Sequence, residues 1–251
     1  MITKKESSEM GRVYGLNVIS LWPYCLRSTG PERSIKMAQS AGYDGIQALP
    51  MKFWSYKRIK EWEKDVISFE DAFGFGPLWK ALLRQLGLIG EPAPLLLDWL
   101  LFGRRISPFF PQAIPVAHHW QRGVAVEVHP ELSTSREEYL DFCAKGGKLC
   151  WDTLHVRRKK RDGSPGIDGW EKLFDALPEG AVELIHVHLE KAETSAYLSG
   201  ASAESAEMLS ALGRKFLQAP AIIEVFPPLK NLRTTLRLLS DVLTVTQKWL
   251  G

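Results

Sequence analysis

The stretch Val182–Leu189, VELIHVHL, reads as a strand and anchors the prediction of the fold. Its apolar and β-branched residues are typical of a strand that is buried in a sheet. A segment of helical character follows it, and then a second apolar run, Ala221–Val225, AIIEV. Short apolar runs that alternate with amphipathic helical segments are typical of βα units around a parallel sheet. The pattern therefore predicts an α/β fold.

The same alternation extends to both ends of the chain. The other predicted strands are Val13–Leu21, Asp44–Leu49, Val124–Val128 and Lys148–Asp152. The predicted helices are Pro31–Ala41, Ser133–Ala144, Trp170–Leu177, Ala203–Leu217 and Leu229–Leu250. Four βα cycles follow one another after Arg122, which favours a closed (β/α)8 TIM barrel.

Residues 55–115 do not follow this alternation. The segment GPLWKALLRQLGLIGEPAPLLLDWLLFGRRISPFFPQ is more typical of two apolar helices than of two βα units. We therefore predict a barrel that is shortened or irregular in this region. A chain of 251 residues without a Gly/Ser linker is expected to form one domain over residues 1–251.

The amino-acid composition is typical of a globular protein. Hydrophobic residues at 45% and charged residues at 24% are close to the averages of globular proteins, which argues against disorder. The charged N-terminus argues against a secretory signal, and the apolar runs are too short to span a membrane. A cytoplasmic location is therefore expected. Three cysteines, an odd number without metal-binding spacing, are expected to be reduced. The net charge of +3 is compatible with an anionic partner but does not require one.

Four residues able to bind a cation stand at or near the downstream ends of predicted strands. They are separated by 152 − 127 = 25, 188 − 152 = 36 and 224 − 188 = 36 positions, each close to one βα repeat. In a closed parallel barrel such residues meet at one rim, and burying their charges without a cation would be costly. They suit Mn²⁺, Mg²⁺, Co²⁺ or Zn²⁺. The four predicted ligands are Glu127, Asp152, His188 and Glu224.

Further histidines lie near this rim. His186 and His188 point to the same side of an extended strand, so either could reach the ion. We prefer His188, which is nearer the strand end, and expect His186 to pack lower in the barrel or to donate a hydrogen bond to a ligand of the ion. His155 is expected to bind substrate or a second metal. The other histidines, at 118, 119 and 129, are expected to have ordinary structural roles.

Several of these segments together resemble the xylose-isomerase-like barrel superfamily, which contains sugar and sugar phosphate isomerases and epimerases and the family 2 apurinic endonucleases. The resemblance covers the first 50 residues and the chain from about residue 122 onward. It implies metal ligation by the four predicted ligands and substrate contact by His155. The segments that carry it are AGYDGIQAL (Ala41–Leu49), VAVEVHPEL (Val124–Leu132), LCWDTLH (Leu149–His155), HVHLE (His186–Glu190) and IIEVF (Ile222–Phe226).

Departures from the family pattern favour an isomerase over a nuclease. The additional His ligands and the Asp-x-His pair of members with a three-metal nuclease site are not apparent, and Lys191 follows HLE where those members usually place Asp. The two-Glu sites of the family need only the four predicted ligands. The resemblance then implies that Glu127 and Glu224 transfer a proton through an enediolate that the metal stabilises.

Two other functions stay open. An apurinic-endonuclease-like phosphodiesterase is supported by the basic run Arg157–Arg161, RRKKR, which could bind a nucleic acid backbone or a sugar phosphate. A barrel without catalysis could serve as a binding subunit. Trp22, after the first strand, could stack on a sugar ring together with contacts from Arg157, His155 and His186. The expected partner is a sugar or sugar phosphate, with nucleic acid as the alternative, and a homo-oligomer stays open.

Overall fold

Eight parallel strands close into a barrel in the computed structural model, which describes residues 11–21, 24, 31–49, 61–70, 82–83, 86–88, 110–117, 123–129, 135–157, 169–189, 203–225 and 231–251. Each strand pairs with its neighbours in sequence, and the last strand pairs with the first. The prediction of an α/β (β/α)8 TIM barrel is therefore confirmed. One domain over residues 1–251 stays a prediction.

Strands and α-helices alternate along the chain wherever the structure describes both a strand and the helix that follows it. The strands are β1 Tyr14–Asn17, β2 Gly45–Ala48, β3 Val66–Glu70, β4 Ile114–Ala117, β5 Ala125–Glu127, β6 Lys148–Asp152, β7 Val182–Leu189 and β8 Ala221–Val225. The described α-helices are α1 Glu32–Ser40, α2 Arg136–Ala144, α3 Trp170–Ala176, α4 Ala203–Lys215 and α5 Leu232–Leu250. Short 3-10 helices cover Val18–Leu21, Glu63–Asp65 and His155–Arg157.

Two strands that the sequence did not predict, β3 and β4, lie within and at the end of the region 55–115. The expectation of two apolar helices concerns residues 76–112, most of which lie outside the described residues. A short apolar run such as VISFE cannot be assigned to strand or helix by its periodicity alone. Here the pairing of β3 with β2 and of β4 with β5 decides it, because the barrel cannot close without them. The apolar segments at 71–81 and 89–109 lie outside the described residues.

The first strand is shorter than predicted. It ends at Asn17, whose side-chain Oδ1 accepts a hydrogen bond from the Ile19 backbone N–H at 2.9 Å. This local bond competes with further strand pairing and turns the chain into the 3-10 helix Val18–Leu21. Asn17 therefore stands at the end of β1 instead of in its middle.

Side-chain caps set the starts of two helices. Ser135 and Glu138 form the reciprocal capping box that begins α2. Asn231 accepts a hydrogen bond from the Thr234 backbone N–H and begins α5.

No helix in the described ranges has the length and apolarity that crossing a membrane would require. Cys143 and Cys150 are free thiols, and burial raises the pKa of the Cys143 thiol to about 11.

The barrel interior is layered. Apolar side chains form a cluster, which we call the floor, made of Val116, Ala125, Cys150, Leu184 and Ile222 with Ile67 and Ile114 packed against it. Residues two positions apart on a strand point to the same side. Four strands therefore carry a floor residue and, two positions later, a polar residue above it. These polar residues, which we call the polar layer, are Glu127, Asp152, His186 and Glu224.

Glycine at position 45 permits a close approach between β2 and the chain before β3. A Cβ placed on Gly45 would collide with the backbone carbonyl of Asp65 and would lie 3.2 Å from Ile67 Cδ1. A backbone carbonyl cannot move aside as a flexible side chain can, so this position excludes even a methyl group.

We predict that Gly45→Ala lowers the free energy of unfolding by about 1–3 kcal/mol through overpacking, measured by urea denaturation. Gly11→Ala is the matched control, because a Cβ at Gly11 meets nothing within 4 Å. Equal stability of the two variants would show that the approach of Asp65 does not constrain the barrel.

Candidate metal centre

Three members of the polar layer, Glu127, Asp152 and His186, bring one ligand atom each to within 4.8 Å of one another. His186 Nδ1 lies 3.9 Å from Glu127 Oε2 and 3.9 Å from Asp152 Oδ2. The exposed fractions of the three residues are 3%, 1% and 1%. Two carboxylates and an imidazole therefore converge in a site that is almost closed to solvent.

His188 and Glu224 form a pair beside this group. The two residues are partners in the register of β7 and β8, and His188 Nδ1 lies 3.7 Å from Glu224 Oε1. The structure therefore brings all four predicted ligands to one end of the barrel. It also places His186 next to Glu127 and Asp152, whereas the sequence analysis preferred His188 as the ligand.

Asp152 is held in one orientation by the backbone. Its Oδ1 accepts hydrogen bonds from Leu154 N–H at 2.7 Å and from His155 N–H at 2.8 Å. These bonds begin the 3-10 helix His155–Arg157, and they leave Oδ2 as the oxygen that faces His186. The turn after β6 thus aims one carboxylate oxygen into the site.

A second group of ligand atoms shares Glu127. Glu127, His129 and His155 also lie within 4.8 Å of one another, with His155 Nε2 3.5 Å from Glu127 Oε1. The rings of His129 and His155 stack with centroids 3.8 Å apart. Tyr139, from α2, accepts a hydrogen bond from the His129 backbone N–H at 2.9 Å. His129, which the sequence suggested was structural, thus stands within reach of a cation.

The donor set fits a divalent cation. Ligands on one ion at ~2.0–2.2 Å are separated from each other by about 3 to 3.5 Å, close to the distances of 3.5 and 3.7 Å within the His155–Glu127 and His188–Glu224 pairs. Negative charge is concentrated here. Burial raises the pKa of the Cys150 thiol in the floor, and the charges of Glu127, Asp152, Glu70 and Glu224 raise it further. A cation bound among these carboxylates would offset that charge.

Three residues of this region were missed from the sequence. Glu70 ends β3 and is 7% exposed. In its run, VISFE, a Glu follows apolar residues, as Glu224 does in AIIEV. The sequence pattern does not predict it, because strands and helices do not alternate regularly over residues 55–115. Asn17 and Gln47, which end or nearly end β1 and β2, are buried neutral amides. A buried amide inside an apolar strand is a usable signal, because it requires hydrogen-bond partners.

The structure describes some of the other predicted residues but not all of them. Arg157 donates from Nε to the Thr153 carbonyl at 2.7 Å and from Nη1 to Ser205 Oγ at 3.3 Å. These bonds anchor the turn after β6 to α4, in addition to any contact with substrate. Trp22, residues 158–161 of the basic run, and the histidines at 118 and 119 lie outside the described residues.

Thr153 fastens β6 to β7 next to the site. Its Oγ1 accepts a hydrogen bond from the buried His188 backbone N–H at 3.0 Å. We predict that Thr153→Val, which removes this acceptor, lowers the free energy of unfolding by about 1–3 kcal/mol in urea denaturation, because the N–H loses its partner. Thr153→Ser keeps the hydroxyl and should be clearly more stable than Thr153→Val. The opposite order would contradict this role.

No family model matches the chain, and no curated protein matches it. A crystal structure described as AsfvAP:AG is 12% identical, covers 96% of this chain and 100% of its own, and gives a TM-score of 0.47. A sugar phosphate isomerase/epimerase from Parabacteroides distasonis ATCC 8503 is 12% identical, with coverage of 96% and 97% and a TM-score of 0.43. At this identity and TM-score neither likeness bears on function, and the assignment of a TIM barrel rests on the closed parallel sheet itself.

Proposed function

We propose that the protein is a metal-dependent isomerase or epimerase of a sugar or sugar phosphate. The supporting observation is the polar layer, in which three carboxylates and one imidazole from four successive strands lie above an apolar floor. In this proposal Glu127, Asp152, His188 and Glu224 hold one divalent cation. When bound, the cation supplies positive charge that stabilises negative charge on a substrate oxygen.

Glu127 and Glu224 are the proposed acid/base pair. They stand on β5 and β8, with β6 and β7 between them, so a substrate above the layer lies between two carboxylates. One carboxylate takes a proton from the carbon next to a carbonyl, and the other returns a proton to the substrate. Asn17 Nδ2 donates to Glu224 Oε2 at 3.1 Å, which fixes that carboxylate and leaves Oε1 on the side of His188.

A phosphodiesterase of the apurinic-endonuclease type is the second candidate. The observation that favours it is the second group of ligand atoms, in which His129 and His155 share Glu127 with the first group. Two adjacent cations would suit phosphodiester hydrolysis, because they stabilise both the attacking and the leaving oxygen. Arg157, at the same rim, would attract a phosphate.

Metal binding is the first testable consequence. At Mn²⁺ or Co²⁺ about 100-fold above its Kd, binding adds about 2.7 kcal/mol of stability and raises the Tm by about 5–10 °C. We predict that Asp152→Asn abolishes most of this shift in thermal denaturation. Glu183→Gln removes the same charge from an exposed position on β7 and should keep the shift. A wild-type protein without any metal-dependent shift would contradict the proposed site.

Proton transfer is the second consequence. We predict that the wild-type protein with Mn²⁺ or Co²⁺ incorporates solvent deuterium next to the carbonyl of a ketose or ketose phosphate from a panel, detected by NMR. Glu127→Gln and Glu224→Gln should each lower this rate by about 10²–10⁴-fold, because each removes a proton acceptor. Glu183→Gln is again the control. Metal binding without exchange on any member of the panel would favour the non-catalytic barrel.

DNA cleavage separates the second candidate from the first. The proposed isomerase is expected not to nick a duplex that contains an abasic site, under metal conditions that support deuterium exchange. Nicking that is lost in His155→Ala, in a protein without exchange activity, would replace the isomerase with the phosphodiesterase. A gel assay with a labelled abasic duplex provides this measurement.

A further inference from the structure

The amide of Asn17 has only one orientation that satisfies its neighbours. Its Oδ1 lies 2.9 Å from the Ile19 backbone nitrogen, and its Nδ2 lies 3.1 Å from Glu224 Oε2. A backbone N–H can only donate, and a carboxylate can only accept. The oxygen of Asn17 therefore faces Ile19, and its nitrogen faces Glu224.

Asn17 in turn fixes the orientation of Gln47, on the neighbouring strand β2. Asn17 Nδ2 lies 2.7 Å from Gln47 Oε1, so this atom of Gln47 must be an acceptor. The nitrogen Nε2 of Gln47 then faces His186 Nε2 at 2.9 Å. Because an amide nitrogen can only donate, His186 Nε2 must accept, and the proton of the neutral imidazole is assigned to Nδ1 from this network.

The protonated edge of His186 faces the two carboxylates of the polar layer. Its Nδ1 lies 3.9 Å from both Glu127 Oε2 and Asp152 Oδ2. A nitrogen that carries a proton has no lone pair to offer a cation. We propose that Asn17 and Gln47 are positioning residues that hold His186 as the Nδ1–H tautomer, so that His186 directs a hydrogen toward Glu127 and Asp152 and is not a metal ligand.

The imidazole ligand is then His188, an assignment that rests on the proposed function. His188 is 9% exposed, whereas His186 is 1% exposed, so His188 is nearer the open side of the layer. Its backbone N–H is bound to Thr153 Oγ1, and its Nδ1 lies 3.7 Å from Glu224 Oε1. Proximity alone would choose His186 together with Glu127 and Asp152, and the hydrogen-bond network reverses that choice.

The network also connects carboxylates on both sides of the barrel. Asn17 and Gln47 are 1% and 0% exposed, so their side chains are closed to bulk solvent. Through them Glu224 is coupled to His186, which stands against Glu127 and Asp152. Hydrogen bonds of this kind orient metal-binding carboxylates and histidines and change metal affinity when they are removed.

The tautomer can be measured directly by ¹⁵N NMR of histidine-labelled, metal-free protein at about pH 8, above the ordinary histidine pKa. The chain has six histidines, so the His186→Asn spectrum identifies the His186 signals by their loss. We expect a protonated Nδ1 and an unprotonated Nε2. Gln47→Glu places an oxygen against His186 Nε2, and we expect the Nε2 shift to change to that of a protonated nitrogen. Gln39→Glu, at an exposed position on α1, makes the same change of charge and should leave the wild-type pattern.

A wild-type Nε2–H tautomer would overturn the inference, and so would an unchanged pattern in a folded Gln47→Glu variant. Gln47→Met removes the amide without adding a charge and is the second variant, in which we expect both tautomers to appear. On addition of Zn²⁺ we expect a His188 nitrogen to shift while His186 keeps its Nδ1 proton. Loss of that proton would overturn the inference. Zn²⁺ that shifts no histidine would contradict the proposed metal site, whereas the metal-free spectrum tests the tautomer independently.

Discussion

Closure of the sheet between β1 and β8 is the constraint on which the rest of the structure depends. The two strands pair in parallel, with Tyr14 opposite Ala221, Gly15 opposite Ile222 and Leu16 opposite Ile223. A closed sheet has no edges, and inward side chains two positions apart must stack in layers. The five core residues of the floor are fully buried, and the polar layer above them gathers groups from strands that are far apart in the sequence. An open sheet of the same strands would separate β1 from Glu224.

Concentrating acids in this layer has an electrostatic consequence that reaches the floor. The Cys150 thiol has its pKa raised by burial and by four carboxylates, so it stays protonated below them. The protein accommodates the acids by giving several of their oxygens defined partners. Backbone N–H groups bind Asp152 Oδ1, and Asn17 binds Glu224 Oε2. These bonds preorganise the two carboxylates, whose other oxygens, Asp152 Oδ2 and Glu224 Oε1, face His186 and His188.

The regular alternation of apolar runs and helical segments was sufficient to predict the strands after Arg122. Each of these strands ends near a residue able to bind a cation, about one βα repeat after the previous one. This pattern failed at Glu70, where a short strand lies next to long apolar segments and the repeat is no longer regular. It could not choose between His186 and His188, since residues two apart on a strand face the same way. That choice depends on Gln47, which is 139 positions from His186 in the sequence and becomes its neighbour only in the folded barrel.

The position of a bound cation tests the proposed ligand set directly. Crystals grown with saturating Mn²⁺ or Co²⁺ and measured at the absorption edge of the metal would locate it by anomalous scattering. We expect a peak within coordination distance of Glu127, Asp152, His188 and Glu224, with His186 Nδ1 outside the coordination sphere. The absence of a peak among these side chains at saturating metal would rule out the proposed metal site.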